Sequence, residues 1–118
     1  MKKEIRQAVY EKYGGHCAYC GRALALKDMQ VDHIVARHRF RHTDPTDMDV
    51  LENYNPACRA CNFRKGTLSL EDFRREIKEQ AKRVMQRFPV RMSVAYGLLE
   101  YDPEREVTFY YESHNTNK

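Results

Sequence analysis

The chain has 118 residues, of which 42% are hydrophobic and 32% charged, and its 21 Lys and Arg outnumber its 17 Asp and Glu for a formal net charge of +4. This length suits one domain and is short for two. No run of about eighteen apolar residues occurs, which excludes a membrane-spanning helix, and the first residues lack the apolar stretch of a signal peptide. We therefore expect a cytoplasmic protein, in which stable disulfides are rare. The mildly basic charge permits a nucleic-acid partner without requiring one.

The N-terminal half is predicted to contain short elements around two cysteine pairs. Residues 3–13 predict a helix, because Ile5, Ala8 or Val9, and Tyr13 recur on one face before Gly14-Gly15 ends the pattern. The chain then continues with a tight turn at Cys17 to Gly21, a short strand at 29–35, a long polar loop at 36–48, a helical turn at 49–54, a second tight turn at Cys58 to Cys61 and a short helix at 62–66.

The C-terminal half is predicted to begin with the clearest amphipathic helix of the chain. Ser69 is suited to cap its N-terminus, and Phe73, Ile77, Ala81 and Phe88 follow at helical spacing. A second short helix is predicted from Val90 to Tyr96, opened by Pro89 and closed by Gly97.

A β-hairpin is predicted to follow these two helices. Leu98–Tyr101 and Glu106–Glu112 flank the turn sequence Asp102-Pro103-Glu104-Arg105, and Val107, Phe109 and Tyr111 alternate along the second strand. The expected fold class is therefore α+β, as a single domain over residues 1–118. Its core covers about residues 4–67, and the C-terminal helix and hairpin cover about residues 69–113.

The four cysteines form two Cys-x2-Cys pairs, Cys17 with Cys20 and Cys58 with Cys61. Two such pairs can surround one Zn²⁺ tetrahedrally, and four sulfur ligands leave no position for a reacting water. The alternatives are two disulfides or a redox-active pair. An intracellular chain argues against disulfides, and a redox pair would leave the second Cys-x2-Cys unexplained. The spacing therefore predicts a structural zinc, although many binding modules share it.

Three polar residues lie at notable positions around the cysteines. Asp32 and His33 are on the predicted strand, and Asn62 directly follows Cys61. A carboxylate and an amide oxygen suit Mg²⁺, and a histidine titrates in the range required of a general base. An Asp-His pair alone is more often a surface pair or a capped turn than a site. Its position between two predicted zinc-binding turns favours a site.

The joint motif resembles that of a known family. The runs C-A-Y-C-G, V-D-H-I-V and E-N-Y-N-P-A-C-R-A-C-N-F-R-K-G are similar to those of HNH endonucleases, in their zinc-containing four-cysteine branch, over about residues 4–67. The resemblance implies a ββα-metal fold and a metal-dependent endonuclease. It implies His33 as general base, Asp32 and Asn62 as ligands of a catalytic Mg²⁺ or Mn²⁺, and Asn53 as the residue whose side chain holds a loop by hydrogen bonds to backbone.

One segment departs from the family pattern. Many relatives follow Asp-His-Ile with Pro, Ser or Arg and a Gly pair, whereas residues 37–42 here read Arg-His-Arg-Phe-Arg-His. Its arginines could clamp phosphates, and His38 or His42 could also bind the ion. Read alone, the run could equally be a solvated loop. The candidates for nucleic-acid contacts are Arg37, Arg39, Arg59, Arg64 and Lys65.

Two other functions remain open from the sequence. A non-catalytic zinc-finger-type module that binds DNA or protein would need the cysteines but not Asp32, His33 and Asn62 together. An accessory or inhibitor protein of phage origin could act on a protein partner through the C-terminal hairpin. The expected partner is nucleic acid, with DNA favoured.

Overall fold

The computed structural model describes residues 1–36 and 49–114. The chain divides into two compact units, the first formed by Met1–Leu70 with Thr108–Lys118 and the second by Glu71–Val107. Within the described residues no helix combines the length and the apolar composition needed to cross a bilayer. The mixed helix and sheet content confirms the α+β prediction.

The sheet of the first unit has two antiparallel strands. Strand β1 spans Gln30–His33 and strand β2 spans Tyr54–Ala57. In their register Asp32 lies opposite Asn55, and His33 lies opposite Tyr54. Because successive side chains point to opposite faces of a strand, Asp32 and His33 leave β1 on different faces although they are adjacent in sequence.

The N-terminal helix α1, Lys3–Glu11, packs on one face of this sheet. Val9 is buried with Met29 and Tyr54 in the hydrophobic core of the unit. The Arg6 guanidinium donates hydrogen bonds to the carbonyls of Leu26 and Met29, at 2.8 and 2.6 Å, which are the first residue of the 3₁₀ turn Leu26–Asp28 and the residue that follows it. The turn that precedes β1 is therefore held against α1.

Helix α2, Arg59–Lys65, follows β2 directly and contacts β1. Cys58 caps its N-terminus, since the Cys58 sulfur accepts a hydrogen bond from the Cys61 backbone N–H. The helix ends at Gly66, whose φ of 50° is a conformation that glycine adopts at little cost. The short helix predicted at 62–66 thus exists and begins three residues earlier.

The second unit is helical. Helix α3 spans Leu70–Met85 with Phe73 buried, and helix α4 spans Phe88–Ala95 with a proline in its first turn. The Arg74 guanidinium donates to the Val107 carbonyl at 2.6 Å, and the Lys78 ammonium pairs with Glu106 at 3.1 Å. These contacts fix the last residues of the unit along α3.

The predicted C-terminal β-hairpin is wrong. Its turn exists, with the Arg105 N–H bonded to the Asp102 carbonyl at 3.1 Å, but residues 98–112, all described, contain no strand. Residues Tyr110–Ser113 instead form a short helix, α5, and the Glu112 side chain accepts a hydrogen bond from the Phe109 N–H at 2.9 Å. This local cap gives the Phe109 N–H a hydrogen-bond partner, which in a hairpin a neighbouring strand would have to supply.

Helix α5 lies against the first cysteine turn. The backbone N–H groups of Tyr110 and Tyr111 donate to the carbonyls of Tyr19 and Ala18, at 3.0 and 2.9 Å. The buried Phe109 ring meets the Tyr19 ring edge-on, with 5.2 Å between centroids. Phe109 and Tyr111, whose alternation predicted a strand, therefore pack against residues 18 and 19.

Candidate metal centre and active site

The four cysteines converge on one point. Their Sγ atoms all lie within 4.8 Å of one another, and Cys20 Sγ is 3.8 Å from Cys58 Sγ. Four sulfurs placed tetrahedrally at about 2.3 Å from a Zn²⁺ are separated by about 3.8 Å, so the observed spacing fits this ion. All four are free thiols and none forms a disulfide. The donor set and its geometry support the zinc prediction.

Local structure explains why the two cysteine pairs meet. The Ala18 N–H donates to the Pro56 carbonyl at 2.8 Å, which ties the first turn to β2 just before Cys58. Gly21 completes that turn with a φ of 82°, and a Cβ at this position would lie 2.5 Å from the Tyr110 ring. Only glycine therefore fits there without displacement of the Tyr110 ring.

The thiols influence one another's protonation. The hydrogen bond from Cys61 lowers the pKa of Cys17 to about 4, and the same hydrogen bond raises the pKa of Cys61. Burial raises the pKa of Cys20. Cys17 thus loses its proton more readily than Cys20 or Cys61. A divalent cation that binds thiolates would displace the protons of these sulfurs.

Asp32 lies in a buried polar network. Its carboxylate accepts hydrogen bonds from the Tyr19 hydroxyl and from the Lys65 ammonium, the latter at 3.2 Å, and Lys65 also donates to the His33 carbonyl at 3.0 Å. The side chains of Asp32 and Lys65 are 3% and 0% exposed. Asn55 donates to Tyr19 from the facing strand, and its own Oδ1 has no partner among the described residues.

Burial raises the pKa of Asp32, and the hydrogen bonds from Tyr19 and Lys65 oppose this rise. The ion pair therefore consists of two groups that have both lost their water. Such a pair adds little net stability compared with apolar residues, but removing one partner leaves the other charge unpaired.

A Lys65→Met protein is expected to lose about 3–5 kcal/mol of unfolding free energy at neutral pH, because it keeps the side-chain length but leaves the Asp32 carboxylate buried without its cation. A carboxyl with a raised pKa in the folded state favours folding while protonated, and this contribution is lost as the pH rises through that pKa. The loss should therefore shrink as the pH is lowered. Urea unfolding of parent and variant across pH measures both effects.

The matched control for this prediction is Arg64→Met. Arg64 is the neighbouring cation on α2 and is exposed, so its removal should change the free energy of unfolding by about 0.5 kcal/mol or less. Adding Asp32→Asn to Lys65→Met should recover part of the loss, since no buried charge then remains. Equal stability of the Lys65→Met and Arg64→Met proteins would contradict the role assigned to the ion pair.

His33 has a different environment from Asp32. Its imidazole is 29% exposed, its Nε2 lies 2.8 Å from Asp49 Oδ1, and the Tyr54 ring packs edge-on against it with 5.2 Å between centroids. An ionised carboxylate can only accept, so the hydrogen belongs to Nε2 and Nδ1 is left to accept a proton. The structure thus presents a positioned imidazole that solvent can reach.

Asn53 holds the backbone that follows β1. Its Oδ1 accepts from the Val35 N–H at 2.9 Å, and its Nδ2 donates to the Val35 carbonyl at 3.1 Å. The Ile34 N–H also donates to the Asn53 carbonyl at 2.8 Å. These three bonds lock the residues after His33 to the 3₁₀ turn Leu51–Asn53, as the resemblance implies for this asparagine.

Asn62 lies against the same face of β1 as Asp32. Its amide donates to Gln30 Oε1 at 2.7 Å, and Gln30 precedes Asp32 by two residues on the strand. Carboxylate and amide oxygens at such a place are suitable Mg²⁺ ligands. The Asp32 oxygens, however, already accept from Tyr19 and Lys65. An ion held by Asp32 and Asn62 would thus replace the Lys65 ammonium as the positive charge beside Asp32.

The predicted nucleic-acid contacts differ in exposure. Arg37 and Arg39 lie outside the described residues, as do His38 and His42. Arg59 and Arg64 are exposed on α2, whereas Lys65 is buried with its ammonium directed at Asp32. In this structure Lys65 is thus a partner of the predicted metal ligand and not a surface cation.

A comparison with protein families connects this geometry to a known class. Residues 17–68, somewhat less than half of the chain, match the family model described as HNH endonuclease. This segment is similar to the domain of HNH endonucleases. It contains both cysteine pairs, both strands and α2, and its four-cysteine cluster fits the zinc-containing branch of the family. No curated protein and no solved structure matched the chain.

The segment similar to HNH endonucleases contains contacts that its sequence does not predict. No sequence pattern predicts the contact of Asp49 with His33 or the pairing of Asp32 with Tyr19 and Lys65. Asp49 is sixteen residues from His33 along the chain, so no helical or strand periodicity relates them. The one available signal was its place just before the 3₁₀ turn that carries Asn53.

Proposed function

We propose that the protein is a metal-dependent endonuclease that hydrolyses phosphodiester bonds of DNA. The observation that carries this proposal is His33, an accessible imidazole held by Asp49 within the segment similar to HNH endonucleases. A general base needs a fixed orientation and access to water, and the contact with Asp49 and the partial exposure of the imidazole support both for His33.

In the proposed mechanism, His33 Nδ1 accepts a proton from the water that attacks the phosphorus. The Asp49 carboxylate keeps the ring in the required tautomer and stabilises the imidazolium that forms. Asn53 fixes the backbone beyond His33 and so keeps the ring in place. Arg59 and Arg64, exposed on α2, draw the phosphate backbone towards the domain. Asp32 and Asn62 would hold Mg²⁺ or Mn²⁺ if Asp32 exchanges Lys65 for the ion, and the ion would supply positive charge for the phosphate and the departing oxygen.

One observation favours the second candidate, a non-catalytic module that binds nucleic acid. The Asp32 carboxylate is satisfied by Tyr19 and Lys65, as in a purely structural ion pair. If the Asp32–Lys65 ion pair does not separate, Asp32 cannot bind a catalytic ion. The zinc site and the arginines of α2 could then still bind nucleic acid without cleaving it.

Cleavage assays separate the two candidates. Zinc-loaded protein is incubated with supercoiled plasmid, linear duplex, branched DNA, single strands and RNA, each with Mg²⁺, with Mn²⁺ and without added metal. We expect nicked or linear plasmid only in the presence of metal and only with the parent protein. A His33→Ala protein purified in parallel controls for contaminating nuclease. Binding without cleavage of any substrate in either metal would favour the module and refute the enzyme.

A further inference from the structure

Phe63 has the most exposed large hydrophobic side chain among the described residues. It is 81% exposed, and it lies on α2 directly after Asn62. Isolated surface hydrophobics are common and need no explanation by themselves. Phe63 differs because its helix carries a zinc ligand, the predicted metal ligand Asn62 and the buried Lys65, so the phenyl ring stands beside the candidate site.

The charged residues of α2 around Phe63 are all cationic. Helix α2 reads R-A-C-N-F-R-K and has no acidic residue. Arg59 lies one helical turn before Phe63, on the same side of the helix, and Arg64 follows it. Both arginines are exposed. An exposed aromatic ring between two cations complements a ligand that has flat apolar faces and negative charges on either side.

A nucleic-acid strand with an unstacked base is such a ligand. Its base offers a π-face to an aromatic ring, and the phosphates on both sides of the base can meet arginines. A perfect duplex lacks this complement, because its bases already stack on one another and only their edges are accessible. The ring beside Asn62 therefore favours substrates in which a base near the scissile phosphate is unpaired.

We propose that Phe63 stacks on an unpaired base next to the cleavage site, so that the protein prefers bulged, branched or single-stranded DNA to perfect duplex. This inference rests on the proposed function for the placement of the scissile phosphate. The stacking contact itself requires only that the chain binds nucleic acid. Phe63 is in this view a specificity residue, and His33 carries the chemistry.

Binding is measured first, on zinc-loaded protein without Mg²⁺ or Mn²⁺. The probes are a duplex with a single bulged 2-aminopurine, whose fluorescence reports stacking, and the matching perfect duplex. Phe63→Ala should weaken binding to the bulged duplex by about 5- to 100-fold, while binding to the perfect duplex changes less than about twofold. Phe63→Trp should restore both the affinity and the fluorescence change.

The matched control is Phe88→Ala, which removes an exposed phenyl ring from α4, a helix outside the segment similar to HNH endonucleases. It should leave the preference for the bulged probe unchanged. Far-UV circular dichroism should show that Phe63→Ala folds like the parent, because an exposed ring contributes little to the core. Equal binding of parent and Phe63→Ala to the bulged probe would overturn the proposal. So would an equal loss on bulged and perfect duplex.

Cleavage of the same two DNAs with Mg²⁺ separates this inference from the proposed function. If the parent cuts but Phe63→Ala has the same substrate preference, the stacking role fails and the nuclease remains. If the parent cuts neither DNA, but Phe63→Ala selectively weakens binding to the bulged probe, the proposed nuclease function is refuted and the stacking contact is supported.

Discussion

A Cys58→Ser protein is expected to lose its zinc and most of the folded structure of its first unit. Cys58 is both one of the four converging sulfurs and the N-cap of α2. Structural zinc sites in small domains contribute about 10–16 kcal/mol of apparent binding free energy. That exceeds or equals the entire stability of a typical domain, about 5–15 kcal/mol. We expect the packing of the hydrophobic cluster around Val9, Met29 and Tyr54 not to compensate for a loss of this size.

Zinc content by elemental analysis and helix content by circular dichroism test this prediction together. A strong chelator should produce the same loss in the parent protein, and added Zn²⁺ should reverse it in the parent but not in Cys58→Ser. The matched control is Ala60→Ser, which introduces a hydroxyl at an exposed position of the same helix and should shift stability by about 0.5 kcal/mol or less. A folded, zinc-free Cys58→Ser protein would show that the sulfurs do not hold the unit together.

The parts of the fold that could be predicted from the sequence are those governed by local rules. The two cysteine turns, α1, α2 and the helices of the second unit follow from spacing, glycine position and helical periodicity. The cysteine spacing also indicated the convergence of four sulfurs, because each Cys-x2-Cys turn can direct two ligands at one point.

The C-terminal error shows where local rules stop. The alternation of Val107, Phe109 and Tyr111 is typical of a strand, but an irregular segment that buries every second side chain has the same pattern. Contacts with residues distant in sequence determine which structure forms. Here Phe109 packs against the Tyr19 ring, and the Tyr111 N–H donates to the Ala18 carbonyl. A turn at Asp102–Arg105 was therefore necessary for a hairpin but not sufficient, since strands also need a partner face.

The candidate site was predictable as a set of residues but not as a network. Family motifs identify Asp32, His33 and Asn62, yet they do not say which of these the fold leaves accessible. Strand alternation sends Asp32 into the interior with Lys65 and leaves His33 towards solvent with Asp49. From the sequence Lys65 is one of several cations of a basic helix, and only the packing of α2 on β1 makes it a buried partner of Asp32.

Replacing His33 by Ala is expected to reduce the rate of DNA cleavage by about 10²- to 10⁴-fold, the usual contribution of a positioned general base. The protein should remain folded and keep its zinc, since the imidazole is partly exposed and contacts no cysteine ligand. Single-turnover cleavage with saturating protein measures the chemical step without product release. Asp49→Asn is the matched probe of the hydrogen bond to Nε2, because it keeps shape but removes charge.

Asp49→Asn should slow cleavage by a smaller factor than His33→Ala, because the base remains but its tautomer and its imidazolium lose their support. In a double mutant the Asp49 substitution should have no further effect, since a residue that acts only through His33 has nothing left to position. Equal rates for parent and His33→Ala would refute His33 as the base. A normal rate for Asp49→Asn would refute the positioning role of Asp49 but not the role of His33 as the base. An additive loss in the double mutant would show that Asp49 acts independently of His33.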